Sequence, residues 1–372
     1  MVLSLLSWVP WLYLPPVVQD EQDAPVYADE WEWVPEEESE EHLSWISRFR
    51  HRTNSLLALD IVSTGVGATG VDGVITKQAI GLDYYRTFGR YDQWGELVLQ
   101  AYALRIDNFP DPPPLFDDGN DWEFVWKTAN FNYTGFGDDR LKIRVGHFDI
   151  PYGLEHLLDT NLGLEQTIAA QNLGSKRDWG VSVNGTGADY DYELALLRGS
   201  GLRYEDDDGP VAVAGRLGSD RTANQIFGIS GYFGDALTQT GVDRIQLFDL
   251  ATGDSSDTVL RRSRIGLDYQ QFFGNWALQG EASAGEDEGL DVANFFAAMK
   301  WDPLESDWQA WTQIRALNQR SDGWRDNISV VAGMLYSPVA KWSIGLQVAH
   351  DLTRFDDGDE VTAVSLQVRF RY

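Results

Sequence analysis

The sequence predicts an all-β chain, a 16-stranded antiparallel transmembrane β-barrel with an inward-folded third loop, and three observations predict it. From Ser55 onward, segments of roughly ten residues alternate apolar and polar side chains, the period of a strand with one greasy and one wet face. The connections between them alternate in length, tight turns against mostly longer, acidic, Gly-rich loops, as an up-and-down membrane barrel requires and a soluble sandwich does not. The chain also stops on "SLQVRFRY", which sets Leu366, Val368, Phe370 and Tyr372 on one face and Ser365, Gln367, Arg369 and Arg371 on the other.

The totals narrow the class. Net charge is −29, but Asp20 to Glu41 holds eleven acids and no Lys or Arg, so −18 of it lies elsewhere. That acidity excludes nucleic acid as a partner, because a phosphate backbone would be repelled. The absence of cysteine removes disulfides, thiolate metal sites and cysteine nucleophiles, and suits an oxidising compartment. Fifteen Trp and fifteen Tyr with only three Met are not the usage of a soluble helical enzyme. No run of 18 apolar residues exists, so no helix is expected to cross a membrane.

Three stretches divide the chain. Residues 1–28, opening "MVLSLLSWVPWLYLPPVV", read as a secretory signal peptide with Val26-Tyr27-Ala28 at the cleavage site, although basic residues are missing from its start. Residues 29–53 read as an acidic periplasmic leader, with "EEHLSWISRFRHR" as a short amphipathic helix or the entry to the first strand. Residues 54–372 read as the barrel.

Its strands are expected near 54–63, 77–88, 93–106, 122–133, 140–149, 178–187, 190–199, 210–218, 225–234, 259–273, 276–285, 291–302, 307–318, 327–337, 341–351 and 361–372. Tight turns fall at Gly89–Asp92, Thr134–Asp139, Ala188, Ser219–Asn224, Gly274-Asn275, Pro303–Ser306 and Pro338–Ala340. They form one rim, expected to face the periplasm. One hairpin occurs twice, "IGLDYYRTFG" at Ile80 to Gly89 and "IGLDYQQFFG" at Ile265 to Gly274, too far apart for a solenoid period. Trp179, Trp276, Trp301, Tyr336, Trp342 and Tyr372 lie near strand ends, where interfacial girdles belong.

Chemistry-bearing motifs are weak. "GVGATG", Gly65 to Gly70, fits a dinucleotide fingerprint but is followed by "VDGVITKQ" in place of a helix, so it reads as a Gly-rich loop. Five histidines form no zinc pattern, and no cofactor or metal is expected. Asp117-Asp118, Asp206-Asp207-Asp208 and Asp356-Asp357 lack EF-hand spacing and read as solvated loop tips facing lipid headgroups.

The strand charges say more. Opposite the apolar positions lie Lys142, Arg144, Arg216, Arg262, Arg264, Arg315, Arg369 and Arg371, with Asp83, Glu193, Asp268 and Glu281 among them. A cation facing lipid at mid-bilayer costs about 2 to 4 kcal/mol, so these belong to a wet lumen whose wall carries more cations than acids. Rings of Arg and Lys attract anions; the same residues can equally serve as hydrogen-bond partners across a wet wall. Residues 150–177 form the longest connection after an ascending strand, with a helical stretch expected over Leu154 to Ala170. Folded inward, it would bring Glu155, Asp159 and Glu165 opposite the basic wall and narrow the lumen.

"LKIRVGHFDIPYGLE", "KRDWGVSVNG", "YELALLRGSG", "VAGRLG" and the terminal "VRFRY" occur in an order that resembles the phosphate-selective porins O and P of Gram-negative outer membranes, over about residues 75 to 372. Gly146 to Glu155 is the most specific block. The resemblance implies a homotrimer of sixteen-stranded outer-membrane channels, with the third loop in the pore and Lys142, Arg144 and Arg216 near the constriction. It also implies a C-terminal strand read by the barrel assembly machinery. The first sixty residues do not match, and no lysine cluster for phosphate capture is present. The expected function is passive diffusion of small anionic or neutral solutes, without catalysis, through a barrel set in outer-membrane lipid and lipopolysaccharide. Two other readings stand beside it. A barrel hydrolase would use His147, His156 or His350 at the outer rim, and a secreted soluble β-rich protein would bind carbohydrate through exposed Trp.

Overall fold

A computed structural model of the chain describes residues 55–372 except 71, 90–93, 109–120, 137–138, 159, 161, 202–208, 222, 238–258, 304–305, 321–322 and 354–359. The signal-peptide and leader stretches and the three Asp clusters lie outside the described residues.

Sixteen strands follow one another: β1 (Ser55–Ala68), β2 (Ile75–Phe88), β3 (Gly95–Asp107), β4 (Glu123–Tyr133), β5 (Lys142–Asp149), β6 (Arg177–Thr186), β7 (Tyr190–Leu197) and β8 (Ala212–Ser219). The second half holds β9 (Gln225–Leu237), β10 (Val259–Phe273), β11 (Trp276–Asp287), β12 (Leu290–Trp301), β13 (Trp308–Arg320), β14 (Trp324–Val339), β15 (Trp342–Thr353) and β16 (Thr362–Arg371). A short helix, α1 (Ala169–Leu173), interrupts the β5–β6 connection. Each strand pairs antiparallel with its sequence neighbours, and β16 pairs with β1 from Asp60↔Arg371 to Ala68↔Ala363, so the sheet closes on itself. Closure leaves no strand edge, and all ladder hydrogen bonds stay inside the sheet, the condition for β-structure in hydrocarbon.

The alternation in the sequence becomes two surfaces. On β10, Ile265 and Leu267 are 59% and 61% exposed while Arg264 and Asp268 are 5% and 4%. On β16, Leu366 is 53% exposed and Gln367 4%. The same outward belt includes Leu82, Val181, Leu194, Phe233, Phe295 and Ile344. A continuous apolar outer face with charges turned inward is the surface of a membrane barrel, and a closed sixteen-stranded barrel of this kind is an outer-membrane architecture.

Aromatic rings edge the belt along the short-turn rim. Trp308 stacks on Tyr336 at 4.4 Å, Trp342 packs on Phe370 at 4.9 Å, and the Lys341 ammonium sits 3.6 Å from the Tyr372 ring centroid. Trp276 and Trp301 face each other in the β11–β12 register. Trp179 belongs to the opposite end, 5.0 Å from the ring of His147.

Two expectations about connections are corrected. The β11–β12 link, expected to run between strands ending near 285 and starting near 291, is a two-residue hairpin at Glu288-Gly289, both with positive φ (49° and 84°), the geometry that matches strand twist. The "GVGATG" stretch is largely strand, since β1 runs to Ala68 with Val66 fully buried on the inward face. Period two continues through the glycines, and glycine content alone hid it.

Candidate functional site

The β5–β6 connection, residues 150–176, crosses the barrel interior and docks on its inward wall. The Gly153 amide donates to Ser230 Oγ on β9 at 3.0 Å, and the Leu154 amide to Glu281 Oε2 on β11 at 2.9 Å. Farther along, Lys300 Nζ of β12 meets Glu165 Oε2 at 2.9 Å, and Arg315 Nη2 of β13 donates to the Gln166 carbonyl at 2.8 Å. Gln367 Nε2 of β16 donates to the Leu162 carbonyl at 2.9 Å. These contacts span the wall from β9 round to β16, so the third loop folds inward as the sequence predicts.

Asn172 on α1 is the hub of this docking. Its Oδ1 accepts from Arg264 Nε (3.1 Å), Ser283 Oγ (3.1 Å) and Asn294 Nδ2 (2.8 Å), and its Nδ2 donates to Glu281 Oε1 at 3.4 Å. Four strand side chains thus converge on one amide that is wholly buried. The wall makes room for the loop at glycines. A Cβ on Gly266 would lie 2.4 Å from Tyr152 Oη, and one on Gly345 2.7 Å from Leu164 Cδ1. Gly153, at φ +57°, would drive a Cβ to 2.2 Å from Glu281 Oε2.

The helix expected over Leu154 to Ala170 shrinks to α1. A single turn at Leu154 to Leu158 precedes it, closed by the Leu158 amide on the Leu154 carbonyl at 3.1 Å. The reason lies inside the segment: Leu162 takes a positive φ (55°), which no right-handed helix allows, and the Leu162 and Gln166 carbonyls that a continuous helix would use internally accept from Gln367 and Arg315 of the wall. Glu165 meets the wall as expected. Glu155 does not; it turns into the loop and accepts from Thr160, Thr167 and Lys176. Asp159 lies outside the described residues.

The wall cations face inward, and carboxylates meet most of them. Arg216 makes a two-point contact with Asp268 (Nε–Oδ2 3.0 Å, Nη2–Oδ1 2.6 Å), with side chains 2% and 0% exposed. Arg262 and Arg264 share Asp287, each at 2.9 Å. Arg144 pairs with Glu193 at 3.2 Å, Lys142 with Asp139 at 2.8 Å, Arg369 with Asp60 at 2.6 Å and Arg371 with Asp83 at 2.6 Å. Arg315 is held by carbonyl oxygens of Gln166 and Gln313. The wall is therefore a lattice of ion pairs, and the surplus of cations read from the sequence is largely offset. Among the expected site residues, Arg144 and Arg371 keep appreciable exposure, 20% and 34% of their side chains.

His156 occupies a particular position between charges. Its Nε2 is 2.7 Å from Arg221 Nη2 and 3.3 Å from Glu193 Oε2. A guanidinium only donates, so Nε2 accepts from Arg221 and the imidazole is neutral. Burial first, and then Arg221, Arg216 and Arg144, hold its pKa well below the ordinary imidazole value. His147 is buried against Trp179, and His350 Nδ1 lies 2.9 Å from Thr362 Oγ1, so the three histidines of the hydrolase reading fall in three separate places.

Sequence reasoning missed Tyr152, Gln166, Asn172, Lys176, Lys300 and Trp311. Uncharged or off the alternation, most carried no signal by themselves; the glycines at Gly266, Gly333 and Gly345, which interrupt bulky strands, were the marks of something packed against the wall.

Neither a known family nor a curated protein matches the sequence. Solved structures do. The chain is similar to an anion-selective porin from Comamonas acidovorans (TM-score 0.58, 12% identity, covering 86% of this chain and 99% of that one). It is also similar to OprB of Pseudomonas putida (0.62, 9%, 87% and 96%) and to OmpT of Vibrio cholerae in its trimer form (0.58, 11%, 86% and 99%). At these identities the likeness is one of fold, and that fold is the sixteen-stranded porin-like barrel.

Proposed function

We propose that this chain is an outer-membrane porin through which small hydrophilic solutes diffuse passively. The observation that carries the reading is the inward-docked third loop inside a closed barrel whose outer face is apolar and whose inner face is charged and amide-lined. Short turns would face the periplasm, lipid and lipopolysaccharide would surround the belt, and the β16 terminus at Tyr372 would engage the barrel assembly machinery. The finer reading keeps a mild anion preference and kinship with the phosphate-selective porins. Its support is the sequence resemblance and the partial exposure of Arg144 and Arg371, against which stands the pairing of the other guanidiniums. A homotrimer is supported by the trimer form recorded for the Vibrio cholerae protein. No catalytic step is assigned.

Planar-bilayer recording of the purified chain tests this. Stepwise currents that carry little discrimination between small ions, tilted toward anions under a salt gradient, are expected. A chain that inserts and gives no current steps would end the porin reading, and strong cation preference would end the finer one.

A further inference from the structure

Water does not reach the inward wall evenly. Counted from the short-turn rim, the first three inward side chains of β11, Ala277, Gln279 and Glu281, are all buried, and on β13 Trp311, Gln313 and Arg315 are buried behind Gln309. This is the side on which the third loop docks, from Ser230 round to Gln367. On β3 the first three inward side chains, Glu96, Val98 and Gln100, are only half-buried. So are Tyr85 and Thr87 on β2, Arg144 on β5, and Arg369 and Arg371 on β16. In the short-turn half, the surface left to water therefore lies toward β16, β2, β3 and β5.

The charges on that side are not alike. The other inward strand carboxylates of the short-turn half are held: Asp60, Asp83, Asp191, Glu193 and Asp268 by arginines, and Glu281 by the Leu154 amide. Glu96 has no ion-pair partner among the described residues, and the cations that face it, Lys142 and Arg144, are already engaged. Strand register sets Glu96 opposite Asn132 and Asn132 opposite Arg144, two strands and about 10 Å away. Arg144 pairs with Glu193 at 3.2 Å, and the buried Lys142 with Asp139 at 2.8 Å. Each of these pairs sums to no charge, as do Arg369 with Asp60 and Arg371 with Asp83. Glu96 is left as an uncompensated carboxylate in contact with the lumen.

We propose that Glu96 is a specificity-determining residue of this channel, a lone carboxylate on the watery side of the short-turn half that favours small cations and opposes an anion preference. An ionised carboxylate facing a water-filled bore concentrates counter-ions and depletes co-ions over about a Debye length, roughly 10 Å at 0.1 M salt. The paired guanidiniums beside it supply no net field to cancel this, although they outnumber it. The inference rests on the porin reading, and it adds a residue that acts against the finer, anion-preferring form of that reading.

Reversal potentials of the full chain and of Glu96→Gln under a potassium chloride gradient at neutral pH test it. Glu96→Gln is expected to move the chloride-to-potassium permeability ratio about two- to fourfold toward chloride near 0.1 M salt, and by less at about 1 M, where screening shortens the field to roughly 3 Å. A second measurement needs no current. The chain has no native cysteine, so Glu96→Cys and Gln270→Cys, the latter on the buried β10 wall, can be treated with a charged, water-soluble thiol reagent and read by mass spectrometry. Modification is expected to be about tenfold faster at position 96 than at position 270. An unchanged permeability ratio in a conducting, folded Glu96→Gln, a shift toward potassium, or equal labelling at the two positions would each overturn the inference. A bilayer that stays silent with the parent chain would sink the porin reading, and the labelling contrast would still decide whether position 96 lies on the watery side.

Discussion

Arg369 on the last strand grips Asp60 on the first with two donors, Nε at 2.9 Å and Nη2 at 2.6 Å, across the junction where the barrel closes. The Tyr102 hydroxyl lies between that carboxylate (3.1 Å) and Asp83 (2.9 Å), and Asp83 in turn receives Arg371 at 2.6 Å. Four strands, β16, β1, β2 and β3, are thus tied by one polar chain at the seam.

Asp60 is fully buried, so Asp60→Ala leaves Arg369 without its carboxylate inside the wall. Removing one partner of a buried pair costs about 3 to 5 kcal/mol. Urea unfolding of the micelle-bound barrel is expected to show a loss of that order. Adding Arg369→Met should recover part of it, since the stranded charge is then gone.

Asn172→Ala removes the amide on which Arg264, Ser283, Asn294 and Glu281 converge. Each stranded buried group costs about 1 to 3 kcal/mol, enough to move the docked third loop toward release while the strands stay paired. Larger and noisier single-channel currents are expected, with the barrel's circular dichroism unchanged. Gly153→Ala should act in the same direction, through its positive φ and the approach to Glu281.

Arg216 and Arg144 should part company when neutralised. Arg216→Gln strands the buried Asp268 and is expected to lower stability by about 3 kcal/mol, which denaturant titration reads. Arg144→Gln should shift the reversal potential toward cations; its partner Glu193 is buried but keeps the Ser182 hydroxyl as a donor, so the stability loss is expected to be smaller than at Arg216.

Acid should loosen the third loop through His156. Because its pKa is depressed when docked, the neutral form is favoured there, and the full docking stability is present above the ordinary imidazole value of about 6.5. That stability is lost progressively as pH falls below 6.5, until the depressed value is passed. Protonated His156 would be repelled by Arg221, Arg216 and Arg144 and drawn to Glu193, while Arg221 keeps Asp191 at 3.1 Å. Channel currents are expected to change between pH 7 and pH 5 in the parent chain and to stay flat in His156→Gln, whose amide oxygen still accepts from Arg221.

Strand boundaries and facing were legible because a half-buried membrane strand repeats every two residues, and a one-residue slip would turn Arg264 and Asp268 into lipid. The repeated hairpin carried more than its alternation suggested. In one copy Gly81 would meet the Tyr102 ring at 2.2 Å and Asp83 takes Arg371; in the other Gly266 lies under Tyr152 and Asp268 takes Arg216. The shared Gly-Leu-Asp is thus a seat for a tyrosine beside a socket for an arginine. The inward fold of the third loop was legible from its length, but its path was not, because that path is set by wall groups far away in sequence, as Leu154 with Glu281 and Leu162 with Gln367 show. Pairing of the cations was hidden for the same reason: Asp60 and Arg369 are 309 residues apart.

The absence of native cysteine opens a direct measurement of which face meets lipid. Cysteine placed singly at Leu82, Leu194, Leu267 and Leu366, and at the inward Gln100, can carry a fluorophore in bilayers containing brominated lipid. Strong quenching at the four leucine positions and none at Gln100 is the predicted result. Labels at those leucines that stay bright and respond to a water-soluble quencher, with Gln100 quenched by lipid, would contradict the account.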